Sequence, residues 1–436
     1  MDTWLLMLIV LASLVLLLSL GVPIAFALCG IATIGILCTW GLNGLLLLFN
    51  DAYGESSSFL LSAIPLFIFM ANMLKSSGMG DDLYEVVYRW MGKLRGGLAV
   101  GTVLICALFA AMAGVSSVAT VSMGLIALPS MLKRGYQKEL AIGCISAAGA
   151  LGILIPPSII MVLYGATAEV SVGKLFIGGV VPGLVMCVLF VVFILIRAWL
   201  NPKLAPGVPE TFELSEKLVV LKGVLLPLGL IVLVLGVIYF GICTPTEAAA
   251  VGAFGAMGCA MAYGKLTWTT LRDSLWSTMK TNAMIFWLII GATAFTHFLA
   301  YSEIQGLIHQ TVLSLDVSPW MILIAIQIIY FILGMFLDPA GILMLTTPIF
   351  VPIITKLGFD PLWFGILFVV NMEMAYITPP FGFNLFIMKA IVPPKIQMMD
   401  IYRSVYPFVI LQAICLVLVM MFPQLATWLP DLMVTR

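Results

Sequence analysis

Charge is what this sequence has least of. Only 9% of its 436 residues are Asp, Glu, Lys or Arg, and 20 basic residues balance 20 acidic ones. Soluble domains carry about 25% charged residues, so a water-soluble fold is excluded. With no basic excess, no nucleic-acid partner is implied. Histidine is almost missing: His297 and His309 are the whole complement, and they form no metal-ligand spacing. Cys29, Cys38, Cys106, Cys144, Cys187, Cys243, Cys259 and Cys415 contain no CxxC and no Cys/His cluster, which leaves them as small apolar packing residues. No Walker A motif is present, so an ATP-driven pump would need another subunit. No nucleophile is paired with a histidine, and the chain is not read as an enzyme.

What fills the sequence is apolar surface: 63% hydrophobic residues and a mean hydropathy of +1.19. The runs are continuous and lack the alternation of a membrane β-barrel. The expected class is an all-α polytopic membrane protein. A span needs about 20 apolar residues, which places spans at 4–20, 23–40, 59–75, 139–169, 176–200, 218–240, 246–264, 281–300, 362–392 and 404–426. The first run has no basic residue before it and is read as a retained span rather than a signal peptide. Segments 97–133 and 320–355 are too long for one helix, and "AGVSSVA" and "FLDPAG" interrupt them. Both are read as re-entrant hairpins. Backbone of this kind is tolerated at membrane depth only inside protein or beside a wet cavity.

Charge placement favours the hairpin reading. With the chain starting outside, all 20 basic residues fall inside except Lys174, Lys356 and Arg436, a strong positive-inside bias. Both termini are then outside. Segments 81–97 and 266–279 mix basic residues with Trp and Tyr, as amphipathic arms lying in the interface do. Segment 201–217 is the one clear polar linker.

The chain also repeats itself. An offset of 223 residues brings Met112 onto Met335, Pro129 onto Pro352, Gly135 onto Gly358, and Pro156-Pro157 onto Pro379-Pro380. Near the start of each half the offset is 222, with Pro23 on Pro245 and Gly30 on Gly252. An odd number of crossings in residues 1–205 would invert the second half, 218–436, across a linker at 206–217. Each half then holds spans, an arm, a hairpin and a broken helix (139–169 or 362–392). Opposed repeats with paired broken elements are the architecture of secondary transporters, which bind substrate near the midplane. Each Pro-Pro removes two backbone donors. The freed carbonyls suit a cation, and the resumed helix N-terminus suits an anion.

Few polar residues lie at depth. Asp338 sits at the second hairpin tip, where it either binds a cation or caps a helix. Ser116 and Ser117 occupy the first tip. Glu247 is expected to cap the helix starting at Pro245. Glu373 is a proton or ion ligand, or a polar contact between the halves. Ser158 and Asn384 open the resumed helices and either touch substrate or bond within the helix pack.

"GILIPPS", "ITPPFGFNLF", "PTEAAAVGA" and "SAIPLFIFMANML" (62–74) resemble the large membrane subunit of tripartite ATP-independent periplasmic (TRAP) transporters, over essentially the whole chain. The resemblance implies an elevator-type, Na⁺-driven secondary importer in a bacterial or archaeal cytoplasmic membrane. Its implied partners are a separate small four-span membrane subunit and a periplasmic binding protein that delivers a carboxylate or other organic acid. It places one Na⁺ among Gly114, Ser116, Ser117, Gly149, Gly152 and Pro156. A second falls among Asp338, Ala340, Met372, Ala375 and Thr378. Substrate falls near Pro157, Ser158, Pro380 and Asn384. No cofactor beyond the coupling ion is implied. A stand-alone Na⁺- or H⁺-coupled dicarboxylate carrier is the alternative, and a channel is the reading from another class.

Overall fold

The computed structural model describes residues 3–433 apart from 78, 115, 209 and 211. Val115 of the first hairpin tip and Arg436 of the charge layout therefore lie outside the described residues. Among the described residues all regular structure is helical.

The chain opens with α1 (Thr3–Ser19) and α2 (Ile24–Trp40). They are separated by Gly21 at φ +80° and by Pro23, which breaks the ladder of i to i−4 bonds. Then come α3 (Leu42–Ser56), a 3-10 turn over 59–62, α4 (Ala63–Ser76) and α5 (Met79–Met91). Two helices, α6 (Gly97–Ala113) and α7 (Ser116–Lys133), fill the first predicted hairpin and turn at Gly114. The first broken span is α8 (Lys138–Ala150), a 3-10 turn over 151–153, and α9 (Ile159–Thr167). A long helix, α10 (Val172–Leu200), closes the first half.

The second half runs α11 (Leu214–Tyr239), α12 (Pro245–Ala262), α13 (Trp268–Tyr301) and α14 (Ile304–Leu313). The second hairpin region is α15 (Pro319–Gly334) and α16 (Pro339–Lys356), and the second broken span is α17 (Pro361–Ala375) and α18 (Phe383–Ile391). The chain ends with α19 (Met398–Met421) and α20 (Gln424–Asp431). Among the described residues six helices are long and apolar enough to cross a membrane: 59–76, 116–133, 172–200, 268–301, 339–356 and 398–421. A bent pair, 214–221 with 223–239, makes a seventh.

Three boundaries differ from expectation. The arm 266–279 is not separate: it runs into the span at 281–300 as one helix of 34 residues. No Pro or Gly occurs between Trp268 and Gly291, so nothing interrupts the backbone ladder. Helices α3 and α14 also form where no element was expected. The linker, in turn, is held as a strap over residues 201–208. Its backbone exchanges bonds with the bases of α5, α6 and α8: Gln137 N to Leu204 O at 2.8 Å, Gly96 N to Ala205 O at 2.9 Å, and Val208 N to Gly92 O at 2.7 Å.

Two packing groups result. One joins α2, α4, α12 and α13. Small residues let these backbones close up, since a Cβ built on Gly291 would lie 2.3 Å from Ala25 O, and one on Gly252 2.6 Å from Met70 Sδ. Asn72 of α4 donates to Thr278 Oγ1 of α13 at 3.1 Å. The other group gathers α6–α10 and α15–α19. Here the halves exchange partners. Tyr164 of α9 donates to Pro361 O at the start of α17 at 2.7 Å, while Ile391 of α18 packs over Gly124 of α7.

Candidate substrate and ion sites

The two Pro-Pro breaks organise the centre of this second group. Both Pro156-Pro157 and Pro379-Pro380 are cis. The prolines cannot donate to the carbonyls four residues earlier, and the chain reassigns most of those acceptors. Ser158 Oγ donates to Ile153 O at 2.6 Å, and Asn384 N donates to Tyr376 O at 3.1 Å. Thr378 N takes Ala375 O at 3.2 Å. Among the described residues no donor from outside its own turn reaches the Gly152 carbonyl.

Each hairpin tip meets a break. Gly114 has φ +60°, and a Cβ built there would lie 2.5 Å from Pro157 O. The first tip is thus wedged against the carbonyl of the first break. Ser116, the first residue of α7, is buried and paired with Asn384 across 268 residues of sequence. Asn384 Nδ2 donates to Ser116 Oγ at 2.7 Å and to Ser146 O of α8 at 3.2 Å. One point therefore joins a hairpin tip, a broken helix of the first half and a resumed helix of the second. A residue expected at the ion site and one expected at the substrate site touch there. Gly149 faces Thr120, whose Oγ1 would sit 2.0 Å from a Cβ built on it. Ser117 is half-buried and its hydroxyl has no hydrogen bond among the described residues. Gly152 and Pro156 are buried in the break itself.

On the second side, Gly334 at the end of α15 lies against Ala375, with a built Cβ 2.3 Å from the alanine Cβ. Met372 and Ala375 are fully buried. Thr378 turns its hydroxyl back onto Met374 O at 2.7 Å. Asp338 caps α16, its Oδ2 accepting from Ala340 N at 3.0 Å. Asp338 also borders a cavity of about 410 Å³. That cavity lies between the two packing groups, with Pro23 and Met284 on one wall and Phe336, Tyr376 and Phe383 on the other. Pro380 is exposed, and its carbonyl accepts from Tyr402 at 2.7 Å. Ser158 caps α9, accepting from Met161 N at 3.4 Å. The polar side chains Ser158, Thr378 and Asp338 thus satisfy local backbone, whereas Ser116 and Asn384 bridge distant elements.

Sequence reasoning passed over Thr120, Ser146 and Gln412. None carries a local motif: Thr120 and Ser146 are ordinary small helix residues, and Gln412 sits mid-helix in α19. Glu373 is fully buried, and neither of its carboxylate oxygens has a hydrogen-bond partner among the described residues. Gln412 Nε2 approaches the Glu373 carbonyl at 3.4 Å, and its own Oε1 is also unpartnered. Glu247 performs the expected capping: Thr244 N donates to its carboxylate at 2.8 Å. Among the described residues no group of three His, Cys, Asp or Glu could hold a metal ion.

Broken helices met by hairpin tips, within a polytopic helical chain, are an architecture that secondary transporters use. Solved structures share the fold, among them the two that follow. The Alcanivorax borkumensis YdaH transporter matches with TM-score 0.65 at 14% identity, covering 94% of this chain and 97% of that one. Neisseria gonorrhoeae MtrF, titled as illuminating a class of antimetabolite efflux pumps, matches with TM-score 0.60 at 12% identity, covering 87% and 84%. Residues 11–425 match the family model "Tripartite ATP-independent periplasmic transporter, DctM component", and the chain belongs to that family. The C4-dicarboxylate TRAP transporter large permease protein DctM of Pseudomonas aeruginosa is 38% identical over 380 residues, 87% of this chain and 88% of that protein. Its namesake in Vibrio cholerae is 36% identical, covering 95% of each. The ectoine TRAP transporter large permease protein TeaC of Halomonas elongata is 32% identical, covering 97% of this chain and 99% of TeaC.

Proposed function

We propose that this chain is the large membrane subunit of a Na⁺-coupled importer for a small organic acid anion. A periplasmic binding protein delivers the substrate and a separate small four-span subunit braces the α2–α4–α12–α13 group. The C4-dicarboxylate relatives favour a dicarboxylate. The observation that carries the reading is the Ser116–Asn384–Ser146 junction, where hairpin tip and both broken helical units meet. Hydroxyls of Ser116, Ser117 and Thr120 and the Gly152 carbonyl offer the oxygen ligands a hard cation takes. The substrate carboxylate is met by the start of α9 or α18, where helix N-termini favour anions.

The hairpins 97–133 and 320–355 are re-entrant, and the two halves are inverted repeats with both termini outside. In the transport step the group built from α6–α9 and α15–α18 moves as a unit against the α2–α4–α12–α13 group. The crevice beside Asp338 marks the boundary between them.

The test is melting temperature of the purified chain in NaCl, KCl and choline chloride at equal ionic strength. A site filled at a hundredfold excess of Na⁺ stabilises by about 2.7 kcal/mol. A Na⁺-specific rise, diminished in Ser117→Ala and Asp338→Asn, is expected. Equal melting in the three salts, with uptake driven by a pH gradient in the reconstituted three-component system, would refute Na⁺ coupling. Saturable uptake by this chain alone would instead favour the stand-alone carrier.

A further inference from the structure

A second polar pocket lies away from the hairpin tips, between the start of α8, the end of α10 and the first turns of α19. Its volume is about 210 Å³, several times the ~30 Å³ share of one water. Arg197 and Arg403 both line it, with Gln137, Glu139, Phe193 and Phe408. Neither arginine has an ion pair or hydrogen bond among the described residues; Arg197 lies only over the Phe193 ring, 6.0 Å from its centroid. The nearby acids are already engaged by Lys138, which sits 2.8 Å from Asp400 and 3.9 Å from Glu139. Two arginines therefore line one pocket, neither in an ion pair of its own; Arg403 shares the field of Asp400 with Lys138, which holds that carboxylate at 2.8 Å. Gln137 also lines the pocket, although its Oε1 is turned away into the protein, buried and without a donor among the described residues.

The surroundings fix the kind of ligand. On α10 the residues flanking Arg197 are exposed and apolar, with Ile196 at 50% and Trp199 at 78% exposure. On α19 Tyr406 and Ile410 are similarly bare. Trp and Tyr concentrate at the membrane–water boundary. The positive-inside layout puts both arginines on the inner side, where anionic lipids gather.

We propose that this pocket binds the headgroup of an anionic glycerophospholipid. The phosphate lies between Arg197 and Arg403, and the acyl chains run along the bare faces of α10 and α19. Bound there, the lipid ties the start of α8, which leads to the first Pro-Pro break, to α10 and α19. This is independent of the substrate and of the coupling ion.

The experiment is a thermal titration of the purified full chain with mixed micelles containing phosphatidylglycerol, phosphatidylcholine or no lipid, and with soluble glycerol 3-phosphate. A saturable rise specific to phosphatidylglycerol is expected. Each basic residue near an anionic surface contributes about a fivefold factor, so Arg197→Gln with Arg403→Gln should weaken the apparent affinity about 30-fold. Glu139→Gln should strengthen it several-fold, a gain that a damaged fold would not produce. Lys265→Gln, which removes an exposed charge outside the pocket, should weaken it by no more than the fivefold factor of a single surface charge. Equal shifts with phosphatidylcholine, an unaltered response in the double variant together with no gain in Glu139→Gln, or an equal shift with glycerol 3-phosphate would each overturn the lipid assignment. The last outcome would reassign the pocket to a soluble anion.

Discussion

Replacing Gly114 by alanine probes the contact on which the first site depends. The residue sits at φ +60°, and a methyl there would fall 2.5 Å from the Pro157 carbonyl oxygen. Two costs follow. A side chain in the left-handed region loses about 1–2 kcal/mol. Forcing the hairpin tip away from a packed carbonyl adds about 1–3 kcal/mol, for a total of about 2–5 kcal/mol. Gly358 separates the two terms: its φ is +86°, but a built Cβ meets nothing within 4 Å. Gly358→Ala should therefore show only the conformational cost. The assay is reversible denaturant titration in mixed micelles, comparing both variants with the parent chain in Na⁺ and in choline. Gly114→Ala should be the more destabilised by about 1–3 kcal/mol, and its stabilisation by Na⁺ should shrink because the Pro157 segment is displaced. Equal losses in the two variants would show that the tip can retreat freely, and the argument that the hairpin is wedged into the break would fail.

Other consequences are equally direct. Asn384→Leu strands the buried Ser116 hydroxyl and should cost about 1–3 kcal/mol, while adding Ser116→Ala should recover part of the loss, because removing both partners costs less than removing one; a double-mutant cycle reads the coupling. In the strap, a Cβ on Gly207 would lie 2.6 Å from Lys93 O, so Gly207→Ala should loosen residues 201–208 at a cost of about 1–3 kcal/mol. Faster limited proteolysis within that segment is the readout, and an unchanged cleavage rate would show that the strap is not held by this contact. Because Glu373 is buried with both carboxylate oxygens unpartnered among the described residues, Glu373→Gln should be tolerated better than Glu373→Ala, which also opens a cavity. Unfolding midpoints of the two variants decide this.

Much of the helical plan was legible because punctuation in an apolar chain is loud. Proline and glycine have physical consequences wherever they stand, so Pro156-Pro157 and Pro379-Pro380 fixed the places where α8 and α17 stop. The Thr244–Glu247 box marked the start of α12 in the same way, since capping chemistry is local. The failures came where no punctuation exists. The change from Trp- and Arg-rich surface to apolar span inside 268–301 suggested two elements, but composition changes do not break backbone hydrogen bonds. Residues 201–217 read as a polar linker from their prolines, yet backbone groups of 92, 96 and 137 hold residues 204, 205 and 208.

By itself the sequence determined the class, the helical plan and the positions of both breaks, because hydropathy and missing backbone donors act within a few residues. Only the tertiary structure decided which polar groups become a site. Ser158 and Thr378 looked equivalent to Ser116 and Asn384 in the chain, but the first two are spent on nearby carbonyls. The last two meet across 268 residues. Hydroxyl and amide groups take whichever partner the packing brings within about 3 Å. That choice depends on how α7, α8 and α18 close around small residues, which the linear pattern does not contain.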